Sequence, residues 1–101
     1  MTEQVEVRQV ADKHQFQILL DGVLVGHIDY SEQGVVRAMP HTLVDPAYRG
    51  RGLATRLIKE ALDHTRAEGL AVLPICPAIA AYIERHPDYR DIVAQPRSSD
   101  S

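Results

Sequence analysis

The spacing of apolar residues changes along the chain, and this change constrains the fold more than any other feature of the sequence. In the first part, apolar and polar residues alternate, as at Phe16, Ile18 and Leu20, which is the period of a half-buried strand. From Leu53 onward, apolar pairs recur every four residues, which places them on one face of a helix. A chain with both periods is expected to pack helices against a sheet.

Turn residues divide the alternating part into four strands. The dipeptide Asp21-Gly22 tolerates the positive backbone angles of a tight hairpin, and Ser31 to Gly34 forms a second break. Strands joined by such short turns are antiparallel neighbours. The predicted strands are centred on Val5 and Val7, on Phe16 to Leu20, on about Val23 to Tyr30, and on Val35 toward Val44.

The second part of the chain predicts two main helices with a strand between them. The first helix begins at Leu53 and ends near Gly69, a residue suited to a left-handed cap. The segment from Leu70 to Ile75 is rich in Leu, Val and Ile, as in a short buried strand. Pro77 suits the first turn of a second helix, which stops before His86-Pro87. The predicted fold class is α+β, an α/β-type sandwich with two helices on a mixed, mostly antiparallel sheet.

The composition fits one small domain over residues 1–94, followed by a disordered polar tail over 95–101. A net charge of -3 argues against a general nucleic-acid binder. Cys76 is the single cysteine, so no internal disulfide can form. No signal peptide is visible and no apolar run reaches the length of a membrane helix. We therefore expect a cytoplasmic protein, either a monomer or a homodimer.

The segment Tyr48-Arg49-Gly50-Arg51-Gly52, between the fourth strand and the first helix, has the composition of an anion site. Its glycines let the backbone turn sharply and approach a ligand. The first turn of the helix offers unpaired N–H groups at the positive end of its dipole, a combination that suits phosphate. Neither the Walker loop nor the three-glycine dinucleotide motif is present. The alternative is a loop whose glycines only accommodate a turn.

The segment from Arg49 to Ala54 fits the pattern Gln/Arg-x-x-Gly-x-Gly/Ala at each fixed position. This pattern is the signature of the GNAT family of acetyl-CoA-dependent N-acetyltransferases, which the chain resembles from about residue 5 to 93. It is most similar to the minimal GNAT subfamily, whose members are as short as this chain. The implied architecture is a truncated GNAT-like acyl-CoA N-acyltransferase fold. Further matching segments are His41-Thr42, Pro74-Ile75-Cys76-Pro77, Tyr82-Ile83 and His86-Pro87-Asp88-Tyr89.

The resemblance implies that acetyl-CoA is the cosubstrate. Backbone amides of the signature loop hold the CoA pyrophosphate in this family, and the main chain of the preceding strand lines the pantetheine arm. Core packing is the alternative role for the two strand residues. The implied cofactor-binding residues are Leu43, Val44, Arg49, Gly50, Arg51, Gly52, Leu53, Ala54 and Thr55, the last as a hydroxyl donor.

Three residues are candidates for catalysis, and each has a structural alternative. Tyr82 lies where family members place a phenol that protonates the CoA thiolate, or it anchors its helix to the sheet. Cys76 precedes a helix, whose dipole favours a thiolate nucleophile, or it is a small buried apolar residue. His41 suits a general base near neutral pH, or it is a hydrogen-bonded strand residue. His27 and the remaining histidines share no ligand spacing, so no metal site is predicted.

Two departures from larger GNAT proteins concern the acceptor. The stretch from Met39 to Val44 contains no carboxylate that can act as a base, although Asp29 and Glu32 lie earlier. The chain also lacks the first helices that usually form the acceptor pocket, which implies an open cleft and an acceptor such as a protein or peptide, or weak, non-selective activity. We predict transfer of acetyl to an amine. The alternatives are a CoA-binding module with little or no catalysis, and an interaction domain that retains only the fold.

Overall fold

The computed structural model describes residues 4–94, so the predicted tail over 95–101 lies outside the described residues. Short 3-10 helices join some of the main elements, among them Pro46–Tyr48 before the signature loop. The strands and helices are β1 (Val5–Val10), β2 (Gln15–Leu20), β3 (Val23–Gln33), β4 (Val36–Val44), α1 (Leu53–Ala67), β5 (Ala71–Leu73) and α2 (Pro77–Arg85).

The strands form one five-stranded sheet in the order β1-β2-β3-β4-β5. The first four strands are antiparallel neighbours, whereas β5 runs parallel to β4. The predicted hairpin turn is present, with φ of 50° at Asp21 and 84° at Gly22. The predicted α+β class, with a mixed and mostly antiparallel sheet, is therefore confirmed.

Both helices pack with the sheet around one hydrophobic core. The apolar pairs of α1 face this core as predicted, and Gly69 follows the helix with φ of 76°, as a left-handed cap residue does. Ile79, Tyr82 and Ile83 of α2 belong to the same core. Over residues 4–94, no helix combines the length and the apolar character that crossing a membrane requires. The buried residues of α1 are Leu53, Leu57, Ile58, Ala61, Leu62 and Thr65.

Two strands differ in length from the prediction. β3 continues beyond Tyr30 to Gln33, because its last residues pair with Val36 to Ala38 of β4. These last residues are exposed, so they form a strand without the alternation of apolar and polar residues that a buried face requires. β5 contains only Ala71–Leu73, because it pairs only with the start of β4. From Met39 onward, no described strand pairs with β4 on that side. We call the space beside this unpaired edge the cleft.

Arg37 of β4 is a buried charge, with only 1% of its surface exposed. Its guanidinium lies 5.4 Å from the ring centroid of Phe16 and 4.4 Å from that of Tyr30. Nη2 donates to Oε1 of Glu68 at 2.7 Å, and Nε donates to Oε2 of Glu32 at 2.9 Å. The hydrogen bond from Arg37 holds the pKa of Glu68 below its usual value. This cluster ties the carboxyl end of α1 to the sheet.

Candidate active site

The signature loop reaches α1 through two glycines in left-handed backbone conformations. Asp45 begins the loop, where its Oδ1 accepts a hydrogen bond of 2.9 Å from the N–H of Ala47. Gly50 has φ of 82° and Gly52 has φ of 74°, and Gly52 is the N-cap of α1. Side chains rarely adopt these angles, so the turn into the helix depends on glycine at both positions.

The first turn of α1 presents free backbone donors. The first bond within the helix runs from the N–H of Arg56 to the carbonyl of Gly52 at 3.1 Å, and no side chain caps the helix start. The N–H groups of the preceding residues therefore point out of the helix, toward its positive dipole end. No acidic residue lies in this turn. The arrangement can bind a phosphate group.

A cavity of about 240 Å³ lies at this helix start. It includes seven of the nine predicted cofactor-binding residues, but Leu43 and Arg51 are outside it. The Arg51 guanidinium instead lies 5.5 Å from the ring centroid of Tyr48. Tyr48 also lines the cavity; it belongs to the predicted anion-site segment but was not among the predicted cofactor-binding residues. The lining residues are Val44, Tyr48, Arg49, Gly50, Gly52, Leu53, Ala54 and Thr55.

A larger, more open cavity of about 410 Å³ lies along the solvent-facing side of α1. Its walls carry the ion pairs of Arg56 with Glu60 and of Lys59 with Asp63. All of its lining residues belong to α1, so it contains no residue of the signature loop or of β4. The smaller cavity, in contrast, combines the start of α1, the glycine backbone and the end of β4.

An irregularity in β4 decides which face of the sheet each site residue occupies. Asp29 pairs with His41, whereas Ser31 pairs with Ala38, so Met39 and Pro40 together oppose the single residue between Asp29 and Ser31. Such a bulge inserts one residue and reverses the alternation of side chains. His41 and Leu43 consequently face away from α1. We call that side of the sheet the open face.

On the helix side of β4, Thr42 lies beside Cys76. The Cys76 thiol donates a hydrogen bond of 3.4 Å to the Thr42 hydroxyl, and the Cys76 N–H donates to the Met39 carbonyl at 3.0 Å. Cys76 is buried at the N-cap of α2. These contacts hold the thiol against β4 at the start of α2, and its catalytic role stays a prediction.

Opposing effects act on the Cys76 thiol. Burial raises the pKa of the thiol. The hydrogen bond with Thr42 and the N–H groups of Ala78 and Ile79 together lower this pKa by more than burial raises it, so the net pKa lies below the usual value. Among the residues that the structure describes, no histidine, lysine or carboxylate contacts it, so Cys76 lacks the base that activates most nucleophiles.

Removing the Thr42 hydroxyl should raise the pKa of Cys76. In Thr42→Val the thiolate loses its strongest stabilising partner, whereas burial continues to favour the neutral thiol. We expect the thiolate fraction at neutral pH to fall, measured as an upward shift of the Cys76 Cβ titration by NMR. Thr55→Val, at the loop, is the control and should leave that titration in place. An unchanged or lower pKa in Thr42→Val contradicts the expectation.

His41 and Tyr82 occupy different surroundings from Cys76. The His41 side chain is 55% exposed on the open face, and its Nε2 lies 3.8 Å from Oδ2 of Asp29. Tyr82 is buried, its ring stacks on His86 with 4.1 Å between centroids, and burial raises its pKa. None of the described contacts joins His41, Cys76 and Tyr82 to one another. Of the two carboxylates considered earlier in the chain, Asp29 approaches His41, whereas Glu32 is bound to Arg37.

Comparison with known proteins identifies relatives of the whole domain. A family described as GCN5-related N-acetyl-transferase matches residues 15–92. Protein NATD1 of Gallus gallus is 34% identical over 86 residues, which cover 82% of this chain and 77% of NATD1. The N-alpha-acetyltransferase RimI of Mycobacterium tuberculosis is 40% identical over 67 residues, which cover 58% of this chain and 41% of RimI.

The fold has a close counterpart among solved structures. A GCN5-like protein from Staphylococcus aureus, solved by NMR, superposes with a TM-score of 0.68 at 21% identity. The superposition covers 93% of this chain and 92% of that one, so the likeness extends over the whole described domain. Together with the family match, it confirms the resemblance predicted from the signature. The chain therefore belongs to the GCN5-related N-acetyltransferase family and is an acetyl-CoA-dependent N-acetyltransferase.

Proposed function

We propose that the chain acetylates an amine of a protein or peptide, with acetyl-CoA held between the signature loop and the free edge of β4. The observation that supports this proposal is that the loop cavity includes Val44, which ends the stretch of β4 that β5 does not pair with. The helix start binds the pyrophosphate through the amides of residues 52–55, and the arginines at 49 and 51 add positive charge. The main chain of Leu43 and Val44 lies along the pantetheine arm.

The open face supplies the acceptor site in this proposal. A third cavity, of about 310 Å³, lies there, and its walls include Leu24, His27, Leu43 and Asp45. Leu24 and Leu43 are 50% and 47% exposed, which is unusual for large apolar side chains and gives an acceptor a surface to pack against. The nearby carboxylates of Asp29 and Asp45 favour a cationic amine. The name of RimI, an N-alpha-acetyltransferase, supports an α-amine as the acceptor group.

Direct transfer is the route that this geometry favours. The neutral amine attacks the thioester carbonyl, a C–N bond forms, the C–S bond breaks, and CoA leaves as its thiol. Before the attack, His41 accepts the proton of the ammonium form on the open face, where Asp29 lies beside it. The proton that the nitrogen loses when the C–N bond forms ends on the CoA sulfur. Cys76 lies on the other face of the sheet, beside Thr42. A transient acetyl-Cys76 is the second route, favoured by its lowered pKa and opposed by the lack of a base. The general-acid role of Tyr82 stays a prediction.

The test is acetylation of peptides that differ only at the amino terminus. We expect thiol release from acetyl-CoA, and a mass gain of one acetyl group, with peptides that carry a free α-amine. The same peptides with a blocked α-amine and no lysine are the control. If acetyl-CoA binds but no amine gains acetyl, the CoA-binding module is the better description. The cytoplasmic location and the monomeric or dimeric state stay predictions.

Leu24→Ser should weaken acceptor binding selectively. Burying part of a leucine against an acceptor contributes about 1 kcal/mol, which corresponds to roughly a fivefold rise in the acceptor KM. The KM for acetyl-CoA should not change, because Leu24 lies outside the loop cavity. Val35→Ser is a matched control, since Val35 is 67% exposed at the far end of β4. An acceptor KM that rises equally in both variants, or in neither, argues against this site.

A further inference from the structure

Two histidines and an aspartate meet on the open face, although they are distant in the sequence. His27 and Asp29 occupy alternate positions of β3, and His41 pairs with Asp29 across the strands. Nε2 of His27 lies 3.4 Å from Oδ2 of Asp29, and Nε2 of His41 lies 3.8 Å from the same oxygen. One ligand atom from each residue can be chosen so that all three lie within 4.8 Å of one another. The histidine rings stack with 6.0 Å between centroids.

A chain of amides holds the carboxylate in this orientation. Nε2 of Gln15 donates to Oδ1 of Asp29 at 2.9 Å, so Oδ2 remains directed at the two imidazoles. Nε2 of Gln17, which is only 4% exposed, donates to Oε1 of Gln15 at 2.9 Å. Arg8 in turn donates to Oε1 of Gln17 at 3.4 Å. Hydrogen bonds that orient a carboxylate in this way are a regular feature around metal ligands.

We propose that His27, Asp29 and His41 bind a divalent metal ion of the zinc class. Two imidazole nitrogens and one carboxylate oxygen are ligands that zinc accepts at about 2.0–2.2 Å, so its ligand atoms lie about 3.4 Å apart in a tetrahedral site. One pair is already at this separation, and His41 is exposed enough to close the remaining gap by a side-chain rotation. The fourth position faces the open side of the sheet and is filled by water or by an acceptor group.

Metal binding has a consequence for acetyl transfer, and this part rests on the proposed function. A metal ion on Nε2 of His41 occupies the lone pair that accepts the substrate proton. It also places positive charge where a cationic amine approaches. Zinc bound at the open face is therefore an inhibitor of acetyl transfer. The loop cavity contains none of the three metal ligands, so acetyl-CoA should still bind in the presence of zinc.

The experiment titrates zinc chloride into the purified full chain by calorimetry, with histidine side-chain NMR as the second readout. We expect one equivalent to bind and to shift the ring signals of His27 and His41. His27→Gln and Asp29→Asn remove ligands, and Gln15→Ala removes the group that orients the carboxylate. Gln15→Ala should weaken binding about 10–100-fold. The ligand variants should weaken it at least as much.

Two controls address other zinc-binding groups. His14→Asn removes an exposed imidazole outside the cluster, at a position with φ of 53° that asparagine tolerates, and should bind zinc like the wild type. Cys76→Ser should likewise retain the calorimetric signal. No saturable binding in the wild type overturns the proposal. Binding that survives in both ligand variants, or that is lost in Cys76→Ser, also overturns it.

Activity separates the failure of this inference from the failure of the proposed function. Each protein is compared with its own zinc-free rate, because His27 lines the acceptor cavity and its replacement changes the starting rate. With saturating zinc, the wild type should lose activity and His27→Gln should retain it. Equal inhibition of both proteins contradicts inhibition through this site. If no amine is acetylated under any condition, the proposed function fails, while calorimetry and NMR still decide the metal site.

Discussion

Gly52→Glu should weaken acetyl-CoA binding by about 100-fold or more. The new carboxylate stands at the N-cap of α1, where the backbone amides otherwise face the pyrophosphate. Two unit charges about 4 Å apart near a protein surface interact by about 4 kcal/mol, and solvent screening leaves part of this. The left-handed backbone at Gly52 adds about 1–2 kcal/mol of strain for a residue with a side chain. A loss of about 2.7 kcal/mol already gives the 100-fold change.

Calorimetry with acetyl-CoA at constant ionic strength measures this effect, and a matched variant separates charge from strain. Gly34→Glu places the same residue at φ of 59°, again with no neighbour within 4 Å, at the opposite end of β4. It should bind acetyl-CoA like the wild type. Gly52→Ala should lose much less affinity than Gly52→Glu, since it adds strain without charge. Wild-type affinity in Gly52→Glu, or equal losses in the two glutamate variants, places the pyrophosphate elsewhere.

The loop was predictable because its requirements are local. A few neighbouring residues specify it: two glycines that can adopt a positive φ, a helix start without an acidic residue, and flanking arginines. The helices were predictable for the same reason, since a four-residue spacing specifies one buried face. The sequence therefore predicted a cofactor role only for the loop and its neighbouring strand.

The open face was not predictable, because it depends on register between strands. His27 and His41 are far apart in the sequence and come together only through strand pairing. The sequence did not show that a bulge at Met39-Pro40 would direct His41 toward Asp29. A shift of one residue in register would have placed His41 on the helix side and Thr42 on the open face. The absence of ligand spacing therefore did not exclude a cluster of ligands. For the same reason, the sequence could not show that Cys76 and His41 occupy opposite faces.

Arg37 was likewise invisible, because an arginine within an alternating strand is typical of a solvated position. Its burial depends on Glu68, 31 residues later in the chain, and on the rings of Phe16 and Tyr30. A buried cation is tolerated only where such partners offset its lost hydration. This dependence makes Arg37 the residue whose removal should affect stability most.

Arg37→Ala should lower the free energy of unfolding by about 3 kcal/mol. Truncating a buried, paired charge costs about 3–5 kcal/mol. The lower end applies here, because the side chains of Glu32 and Glu68 are 37% and 36% exposed and can be hydrated after their partner is lost. The rest of the loss comes from the space left between the aromatic rings. The melting temperature should fall by roughly 15 °C, since 1 kcal/mol shifts a domain of this size by about 4–8 °C.

Urea unfolding followed by circular dichroism measures this loss, and Arg56→Ala provides the matched control. Arg56 is also paired with a glutamate, Glu60, but its side chain is 50% exposed, so its truncation should cost less than about 1 kcal/mol. Arg37→Met keeps an apolar stem between the rings and should recover part of the stability lost in Arg37→Ala. If Arg37→Ala unfolds within 1 kcal/mol of the wild type, the cluster does not hold α1 to the sheet, and the cleft beside β4 must be fixed by the apolar core alone.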